Sequence, residues 1–364
     1  MRFGLIFVLL LLAGCSSRPG PELLSDVPAY PGAKLVKVYV ATTRARQNPG
    51  QNVFTSNLAD GLNFAEFTIS IPPGHVPGTV QWPEGDRIDP SRSFATVSQR
   101  LLTRKEFEAQ VAPRGGSKRI GLFIHGFNVN FQEALFQLAQ MKFDSDIPGD
   151  AVLFAWPSEA SVSAYVADKD AVTASRDGLS DVIRTLARGR GPGDTLVLAH
   201  SMGSWLTMES LRQLKLTGHG DVLDRLDVIL AAPDVDSQVF LSQMEVIGRM
   251  KRTMRILVAT DDLALSVSAR IAGGRKRVGS IDVHNPRVQQ AAQRFNIQTI
   301  DISSIESTDT FNHSRFVQAV ALSAKLNAMG KQDGVRHAGA FILNTVGATL
   351  ASPFSIAGQV VGGD

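Results

Sequence analysis

Residues 195–203, with the sequence TLVLAHSMG, decide the fold of this chain. Their first half is an apolar run that predicts a buried strand, and residues 205–214 follow with the spacing of a helix. A serine at a tight turn between a strand and a helix is typical of a nucleophile elbow. Such a turn holds the serine at a strained backbone angle, so the residues two positions away must be small, as Ala199 and Gly203 are. The sequence therefore predicts Ser201 as a nucleophile.

A nucleophilic serine needs a histidine as base, and the histidine needs an acid that orients it. In the α/β-hydrolase fold these residues follow in the order serine, acid, histidine. The histidines that follow the elbow are His219, His284, His313 and His337. His313 comes after the apolar run 297–302 and before a helical pattern, which is where the base of this fold belongs. His219 and His284 are predicted to lie in surface loops, so we predict His313 as the base.

Two neighbouring aspartates are candidates for the acid. Asp261 and Asp262 stand at the carboxyl end of a predicted buried strand, residues 255–260. Ligands bind at this edge of open α/β sheets. Asp234 and Asp236 follow the preceding strand and are the alternative acids.

The oxyanion hole requires backbone N–H groups that point to the carbonyl oxygen on which charge develops. The residue after the nucleophile, Met202, supplies one of them. The second is expected in the loop after the early strand 120–124, where Gly126 lets the backbone turn closely. We predict the N–H of Phe127 as the second donor, and we interpret His125 as a residue that fixes this loop rather than as a second base.

Seven segments, in order along the chain, resemble a bacterial α/β-hydrolase family catalogued as a domain of unknown function. They are residues 39–44 (YVATTR), 69–75 (ISIPPGH), 123–128 (FIHGFN), 154–158 (FAWPS), 199–203 (AHSMG), 231–236 (AAPDVD) and 262–265 (DLAL). The resemblance extends from about Val38 to about Gly330. It implies that the acid is the aspartate before an Ala-Leu pair, which selects Asp262 over Asp261. It also implies a hydrolase, without naming a substrate, and Ser158 in the fourth segment lacks the context of an elbow.

The amino terminus predicts a lipid anchor. A basic start is followed by an apolar stretch, residues 3–12, which is shorter than the roughly 20 residues of a membrane-spanning helix. Residues 12–15 (LAGC) resemble a bacterial lipobox, in which the thiol of Cys15 takes a diacylglyceryl group. Cys15 is the only cysteine of the chain. Since Ser16 is not an aspartate, the resemblance to other lipoproteins implies the outer membrane, facing the periplasm.

Length and composition indicate one enzyme-sized globular body. The chain has 364 residues, of which 44% are hydrophobic, so it can bury a large core. Its formal net charge of +3 falls to +2 when Arg2 leaves with the signal, and the basic residues are dispersed, so no nucleic-acid site is expected. Neither zinc-ligand spacing, nor a phosphate-binding loop, nor an internal repeat is found, so we predict no metal and no cofactor.

The chain divides into four predicted parts. Residues 1–14 form a lipoprotein signal peptide, 15–33 a tether, 34–330 the α/β-hydrolase domain and 331–364 a C-terminal tail without charge from 338 to 363. From about Ile120 onward strands alternate with helical patterns, which predicts a mostly parallel, doubly wound sheet with helices on both faces. We interpret the tail as packing on the domain, with contact to the membrane or to a partner as the alternative.

Together these patterns predict a lipid-anchored serine hydrolase of the bacterial cell envelope. Its substrate would be a small-molecule or lipid ester, cleaved through an acyl-enzyme. The alternative is a catalytically inactive lipoprotein of the same fold that acts as a binding or scaffold protein in the envelope.

Overall fold

The computed structural model describes residues 18–84, 87–112, 119–145, 149–307 and 309–321. The predicted signal peptide, Cys15 and the tail 331–364 therefore lie outside the described residues, and the predicted domain limits stay predictions. None of the helices that can be described has the length and apolarity to cross a membrane.

Within the described residues, nine strands form a single sheet. They are β1 (Lys34–Arg46), β2 (Phe54–Ile71), β3 (Ala95–Leu102), β4 (Ile120–Ile124), β5 (Asp150–Ala155), β6 (Thr195–His200), β7 (Leu226–Ala231), β8 (Met254–Val258) and β9 (Ile297–Asp301). Their order in the sheet is β3-β2-β1-β5-β4-β6-β7-β8-β9. Strand β2 is antiparallel to β1 and β3, and each neighbouring pair from β1 to β9 is parallel.

Helices connect the parallel strands, because parallel neighbours need long crossover connections. They are α1 (Arg104–Val111), α2 (Phe131–Ser145), α3 (Tyr165–Ala187), α4 (Met202–Leu216), α5 (Gly220–Leu223), α6 (Ser237–Ile247), α7 (Leu263–Ile271) and α8 (Pro286–Phe295), followed by helical residues 315–321. Several starts are capped as their sequences suggest. Thr103 and Glu106 form a capping box, and Asp236, Asp262 and Asn285 cap α6, α7 and α8.

The core lies in two layers, one on each face of the sheet. One layer packs α3, α4 and α6 against the sheet through residues such as Leu179, Leu206 and Phe240. The other packs α2 and residues 315–321 through Phe136 and Phe316. The prediction of a mostly parallel, doubly wound sheet with helices on both faces is confirmed.

The first two strands are longer than the sequence predicts. The period-two patterns predict strands at 34–40 and 64–71, whereas β1 continues to Arg46 and β2 begins at Phe54. The added part of β2 carries polar and exposed residues and pairs with β1 through register shifts. Its strand character therefore comes from pairing with β1 and not from burial of an apolar face.

Candidate active site

Ser201 occupies the turn between β6 and α4 in a backbone conformation that is unusual for a side chain with a Cβ atom. Its φ is 52° and its ψ is −122°. A non-glycine residue in such a region costs about 1–3 kcal/mol and persists only where its surroundings fix it. The N–H of Ser201 donates to the carbonyl of Ala231 at 2.9 Å. Its own carbonyl accepts the N–H of Ser204 at 3.0 Å and of Asp234 at 3.2 Å, so neighbouring segments hold the turn.

Gly203 explains why the elbow needs a small residue after the serine. A Cβ atom at this position would lie 2.4 Å from the carbonyl oxygen of His125 and 2.7 Å from that of Ile124. The first turn of α4 therefore lies directly against the end of β4. This close approach brings the loop after β4 next to Ser201.

His313 and Asp262 form a hydrogen-bonded pair at the carboxyl edge of the sheet. The distance from His313 Nδ1 to Asp262 Oδ2 is 2.7 Å. The side chain of Asp262 is fully buried, and its other oxygen accepts the N–H of Leu265 at 2.9 Å. Since both carboxylate oxygens are engaged, the carboxylate fixes the orientation of the imidazole and keeps the proton on Nδ1.

The loop that carries His313 is folded around a carboxylate that the sequence analysis did not single out. Asp309 accepts the N–H groups of Phe311 at 2.7 Å, His313 at 3.2 Å and Ser314 at 2.5 Å. An Asp that bonds to the backbone two residues later is a common turn signal, and Asp309 could have been found on that ground.

The surroundings of His313 favour its protonated form. Burial acts to lower the pKa of His313, but the hydrogen bond and charge of Asp262 oppose burial, together with the charges of Asp234 and Asp309. The net effect raises the pKa of His313 above its ordinary value. The imidazole is therefore arranged to accept a proton and to remain stable once charged.

The two neighbouring aspartates have different partners. Asp261 is half-exposed and forms a bidentate ion pair with the guanidinium of Arg315, in which Nη2 lies 2.7 Å from Oδ2. Asn312 also donates to its carboxylate at 3.3 Å. The structure thus brings Asp262 to His313 and directs Asp261 to the following helix. The catalytic role of Asp262 stays a prediction.

Asp234 and Asp236, the alternative acids, are engaged elsewhere. The buried carboxylate of Asp234 accepts the hydroxyls of Tyr165 at 2.9 Å and Ser268 at 2.5 Å, and it lies 3.1 Å from Nε of the buried Arg277. Asp236 accepts the N–H groups at the start of α6. In the described part of the chain, neither is hydrogen-bonded to the histidine base.

His200 connects the elbow with the His313 loop. Its ring lies 4.6 Å from that of His313, and its Nε2 is 3.3 Å from the carbonyl oxygen of His313. Burial, with the charge of His313, lowers the pKa of His200 well below its ordinary value, so the ring is neutral and donates from Nε2. No hydrogen bond joins the hydroxyl of Ser201 to His313 among the described residues. The structure brings acid and base together and places the serine at the end of β6, which β7 separates from β8.

The loop after β4 lies against the serine. A Cβ atom on Gly126 would be 2.9 Å from Cβ of Ser201 and 2.9 Å from Nδ1 of His200. Within the described ranges, the N–H groups of Phe127 and Met202 donate to no protein group. Two unpaired donors that flank the serine are what an oxyanion hole needs, and their role there stays a prediction.

His125 holds this loop in place. Its ring stacks on Trp156 at 4.9 Å, with Nδ1 2.9 Å from the carbonyl of Gly126 and Nε2 3.2 Å from that of Trp156. The indole of Trp156 donates back to the carbonyl of His125 at 2.8 Å. Burial and the nearby charge of Arg44 lower the pKa of His125 to about 3, so this histidine is neutral.

Arg44 and Asp168 stabilise the loops around the site, although sequence reasoning assigned no role to the arginine. The guanidinium of Arg44 is buried and donates to the carbonyls of Val129 at 3.2 Å and Ser158 at 3.1 Å. Asp168 accepts the hydroxyl of Ser158 at 2.6 Å and the N–H of Glu159 at 2.8 Å. The hydroxyl of Ser158 is thus committed to a structural contact. No group of three or more metal-ligating side chains is found in the described segments.

Residues 102–329 match the model of a family described as alpha/beta hydrolase of unknown function, DUF900. An uncharacterized protein of Nostoc sp. is 26% identical over 206 residues, which are 48% of this chain and 50% of that protein. The chain thus spans about half the length of this curated relative.

Two solved structures show a remote likeness. A fungal esterase of Rhizomucor miehei shares 9% identity at a TM-score of 0.34, over 80% of this chain and 83% of its own. A hyperthermophilic esterase of the archaeon Pyrobaculum calidifontis shares 11% identity at a TM-score of 0.34, over 84% of this chain and 86% of its own. The assignment of the fold rests on the sheet and on the family match.

Proposed function

The chain belongs to the alpha/beta hydrolase family of unknown function DUF900, and on this premise we propose that it is a serine hydrolase that cleaves a carboxylic ester or related acyl bond. The observation that carries the proposal is the bond between His313 and a fully buried Asp262 at the sheet edge that also holds a strained Ser201. A base with an oriented ring and a serine on a strained turn, both at one sheet edge, are the groups that nucleophilic catalysis requires.

The proposed reaction has two halves. Ser201 Oγ attacks the carbonyl carbon while Nε2 of His313 takes the hydroxyl proton, and the N–H groups of Phe127 and Met202 stabilise the oxyanion. The intermediate collapses to an acyl-enzyme as His313 gives the proton to the leaving alcohol. Water then attacks the acyl carbon while His313 takes its proton. The bond from the acyl carbon to Ser201 Oγ breaks, His313 returns the proton to Oγ, and the carboxylic acid leaves. Asp262 keeps Nδ1 protonated throughout and stabilises the imidazolium.

We also propose that the chain is anchored by lipid at Cys15 to the outer membrane and faces the periplasm. The support is the lipobox-like sequence at residues 12–15. Each buried CH₂ of an acyl chain contributes roughly 0.8 kcal/mol, so the two or three chains of a lipoprotein would hold it firmly. Mass spectrometry of the mature amino terminus tests this, and Cys15→Ser should accumulate unprocessed precursor. A mature chain that starts elsewhere, or with an unmodified Cys15, contradicts the anchor.

The nucleophile is tested with Ser201→Ala. We expect a loss of roughly 10⁴-fold or more in the hydrolysis of a small activated ester, with an unchanged circular dichroism spectrum. A fluorophosphonate probe should label the unaltered chain and spare the variant, while Ser158→Ala should still be labelled. A folded wild-type chain that neither reacts with the probe nor hydrolyses esters would favour the inactive envelope binding protein instead.

A further inference from the structure

The first described residue of the tether is bound to the loops that surround the site. Arg18 donates to the side-chain oxygen and the carbonyl of Asn128, both at 2.7 Å, and to the carbonyl of Ala160 at 2.6 Å. Its guanidinium also pairs with the carboxylate of Glu133. Asn128 immediately follows Phe127, one of the proposed oxyanion donors. The tether therefore contacts the domain next to the loop that carries Phe127.

The residue proposed to carry the lipid lies close to this contact along the chain. Three peptide units separate Cys15 from Arg18, and even a fully extended chain spans at most about 3.6 Å per residue, or roughly 11 Å. A lipid on Cys15 would hold the bilayer surface within that reach of the backbone of Arg18, whose side chain contacts Asn128 in the loop that carries Phe127. So short a link keeps this loop close to the membrane surface.

Exposed apolar side chains lie on the segments that border these loops. Val162 and Val166, just after Ala160, are 72% and 67% exposed. Leu263, Val267 and Ile271 recur every four residues along α7, the helix that Asp262 caps, and all three are exposed. The exposed Phe311 adjoins them, since its carbonyl accepts the N–H of Leu263 at 3.0 Å. These six residues are called the apolar rim below.

The segments that carry the apolar rim contact one another next to the site. Tyr165, next to Val166, shares a hydrogen bond of 2.8 Å with Ser268, next to Val267, so the start of α3 lies against α7. Phe127 meets Tyr165 edge-on at 5.3 Å, which ties the oxyanion loop to the same group. A clustered set of exposed apolar side chains is typical of an interaction surface.

We infer that the apolar rim docks on the bilayer that holds the lipid of Cys15, and that the substrate is an ester-bearing lipid of that bilayer. This inference rests on the proposed hydrolase and on the proposed anchor. Insertion of the rim removes apolar surface from water. It also lets an acyl chain move from the membrane to Ser201 without crossing an aqueous layer.

Contact with the bilayer is measured without reference to catalysis. Because the thiol of Cys15 is used by its lipid, Val166→Cys introduces a single reactive thiol for an environment-sensitive fluorophore. Leu216→Cys is the matched control, since Leu216 is 56% exposed at the far end of α4, about 21 Å from the elbow. In the full lipidated chain on phosphatidylethanolamine–phosphatidylglycerol vesicles, brominated acyl chains should quench the label at 166 several-fold more than at 216. Equal quenching overturns the inference.

The substrate class is measured with two esters in parallel. Val166→Glu should lower the hydrolysis of a fluorogenic long-chain ester embedded in the vesicles by about tenfold, because it removes one inserted side chain and adds a charge. Hydrolysis of a water-soluble butyrate ester should not change, and Leu216→Glu should change neither rate. If both esters respond to Val166→Glu equally, or only the soluble ester is cleaved by the unaltered chain, the lipid substrate is wrong. If the unaltered chain cleaves neither ester, the hydrolase proposal fails, and the quenching still decides whether the rim docks.

Discussion

The described residues include two His–Asp pairs with buried carboxylates and similar hydrogen bonds between the ring and the carboxylate. His313 Nδ1 lies 2.7 Å from Asp262, and His75 Nε2 lies 2.8 Å from Asp144. Both carboxylates are almost completely buried, and each histidine has a raised pKa. A search for His–Asp bonds alone would not tell them apart.

The difference lies in the second nitrogen of each ring. His75 Nδ1 faces the amide oxygen of Gln81 at 2.7 Å, and the amide nitrogen of Gln81 donates to Thr79 at 2.8 Å. Both ring nitrogens of His75 thus point at oxygen acceptors, which fits an imidazolium with no position left for chemistry. In the described part of the structure, Nε2 of His313 has no hydrogen-bond partner.

The surroundings of His75 show a structural role. Its ring is 4% exposed and lies edge-on to Phe94 and Phe143, each at 5.3 Å. Asp144, at the end of α2, also accepts the N–H of Gly78 at 2.6 Å. The pair therefore fastens the loop after β2 to α2. A His–Asp pair can act as a base only where one ring nitrogen is left for the reaction.

The largest effect should separate the two histidines. His313→Ala should lower kcat/KM for a soluble ester by about 10⁴- to 10⁶-fold, because the serine loses its base. His75→Ala should retain activity within about tenfold while the protein unfolds at lower urea, since a buried carboxylate loses its partner at a cost of about 1–3 kcal/mol. Ester hydrolysis and urea unfolding of both variants check this. A His75→Ala variant that folds but is as inactive as His313→Ala would break the comparison.

The next largest effect on activity should separate the neighbouring carboxylates of Asp262 and Asp261. Asp262→Asn should cost about 10⁴-fold in kcat, since an amide favours the wrong tautomer and cannot stabilise the imidazolium. Asp261→Asn is the adjacent control and should cost far less, because this side chain pairs with Arg315. Full activity of Asp262→Asn, with a loss in Asp234→Asn instead, would transfer the acid to the preceding strand.

The raised pKa of His313 predicts the pH dependence of the reaction. Burial opposes protonation, but Asp262, Asp234 and Asp309 raise the pKa above the ordinary 6.5. The base acts when neutral, so kcat/KM should increase as the pH rises through a value above 6.5. Measurement of kcat/KM against pH, in buffers of constant ionic strength, tests this increase. An increase centred at or below pH 6 would contradict the assigned base.

The smallest effect concerns the stability of the fold. Whereas activity should increase with pH, the contribution of His75 to stability should decrease. Burial disfavours the charged form of His75, but its bonds to Asp144 and Gln81 outweigh burial and raise its pKa. Its contribution to the free energy of unfolding is therefore complete below the ordinary 6.5 and is lost as the pH rises through the folded-state value. Urea unfolding should show His75→Gln less stable than the unaltered chain at pH 6, with a smaller difference at pH 9. A stability difference between the two proteins that grows with pH would show that His75 is not an imidazolium in the folded chain.

Local patterns allowed much of the fold to be predicted. Apolar runs bounded by turns predicted strands β4 to β9, because strands buried on both faces consist of apolar residues. The elbow could be predicted because a strained turn, a close helix and a preceding strand all impose requirements on adjacent residues. The residues 54–63 could not be predicted as strand, because their pairing with β1 buries little apolar surface.

The remaining features of the site depend on contacts between distant parts of the chain. Arg18 bonds to residues more than a hundred positions away, and so does Arg44 in its contact with Ser158. The sequence shows a basic residue in each case but not the carbonyl groups that it meets. His75 likewise bonds to Asp144, which lies 69 positions further along the chain, so the pair becomes visible only in three dimensions.

The positive φ of Ser201 lowers the stability of the fold at the position that the proposed reaction needs for its nucleophile. Its strain of about 1–3 kcal/mol is a sizeable share of the roughly 5–15 kcal/mol by which folded domains are stable. Glycine would adopt the same angles with less strain, and a chain kept only for binding would lose nothing by the exchange. An engineer who seeks a more heat-stable form must therefore leave this residue alone and look for compensation elsewhere in the molecule.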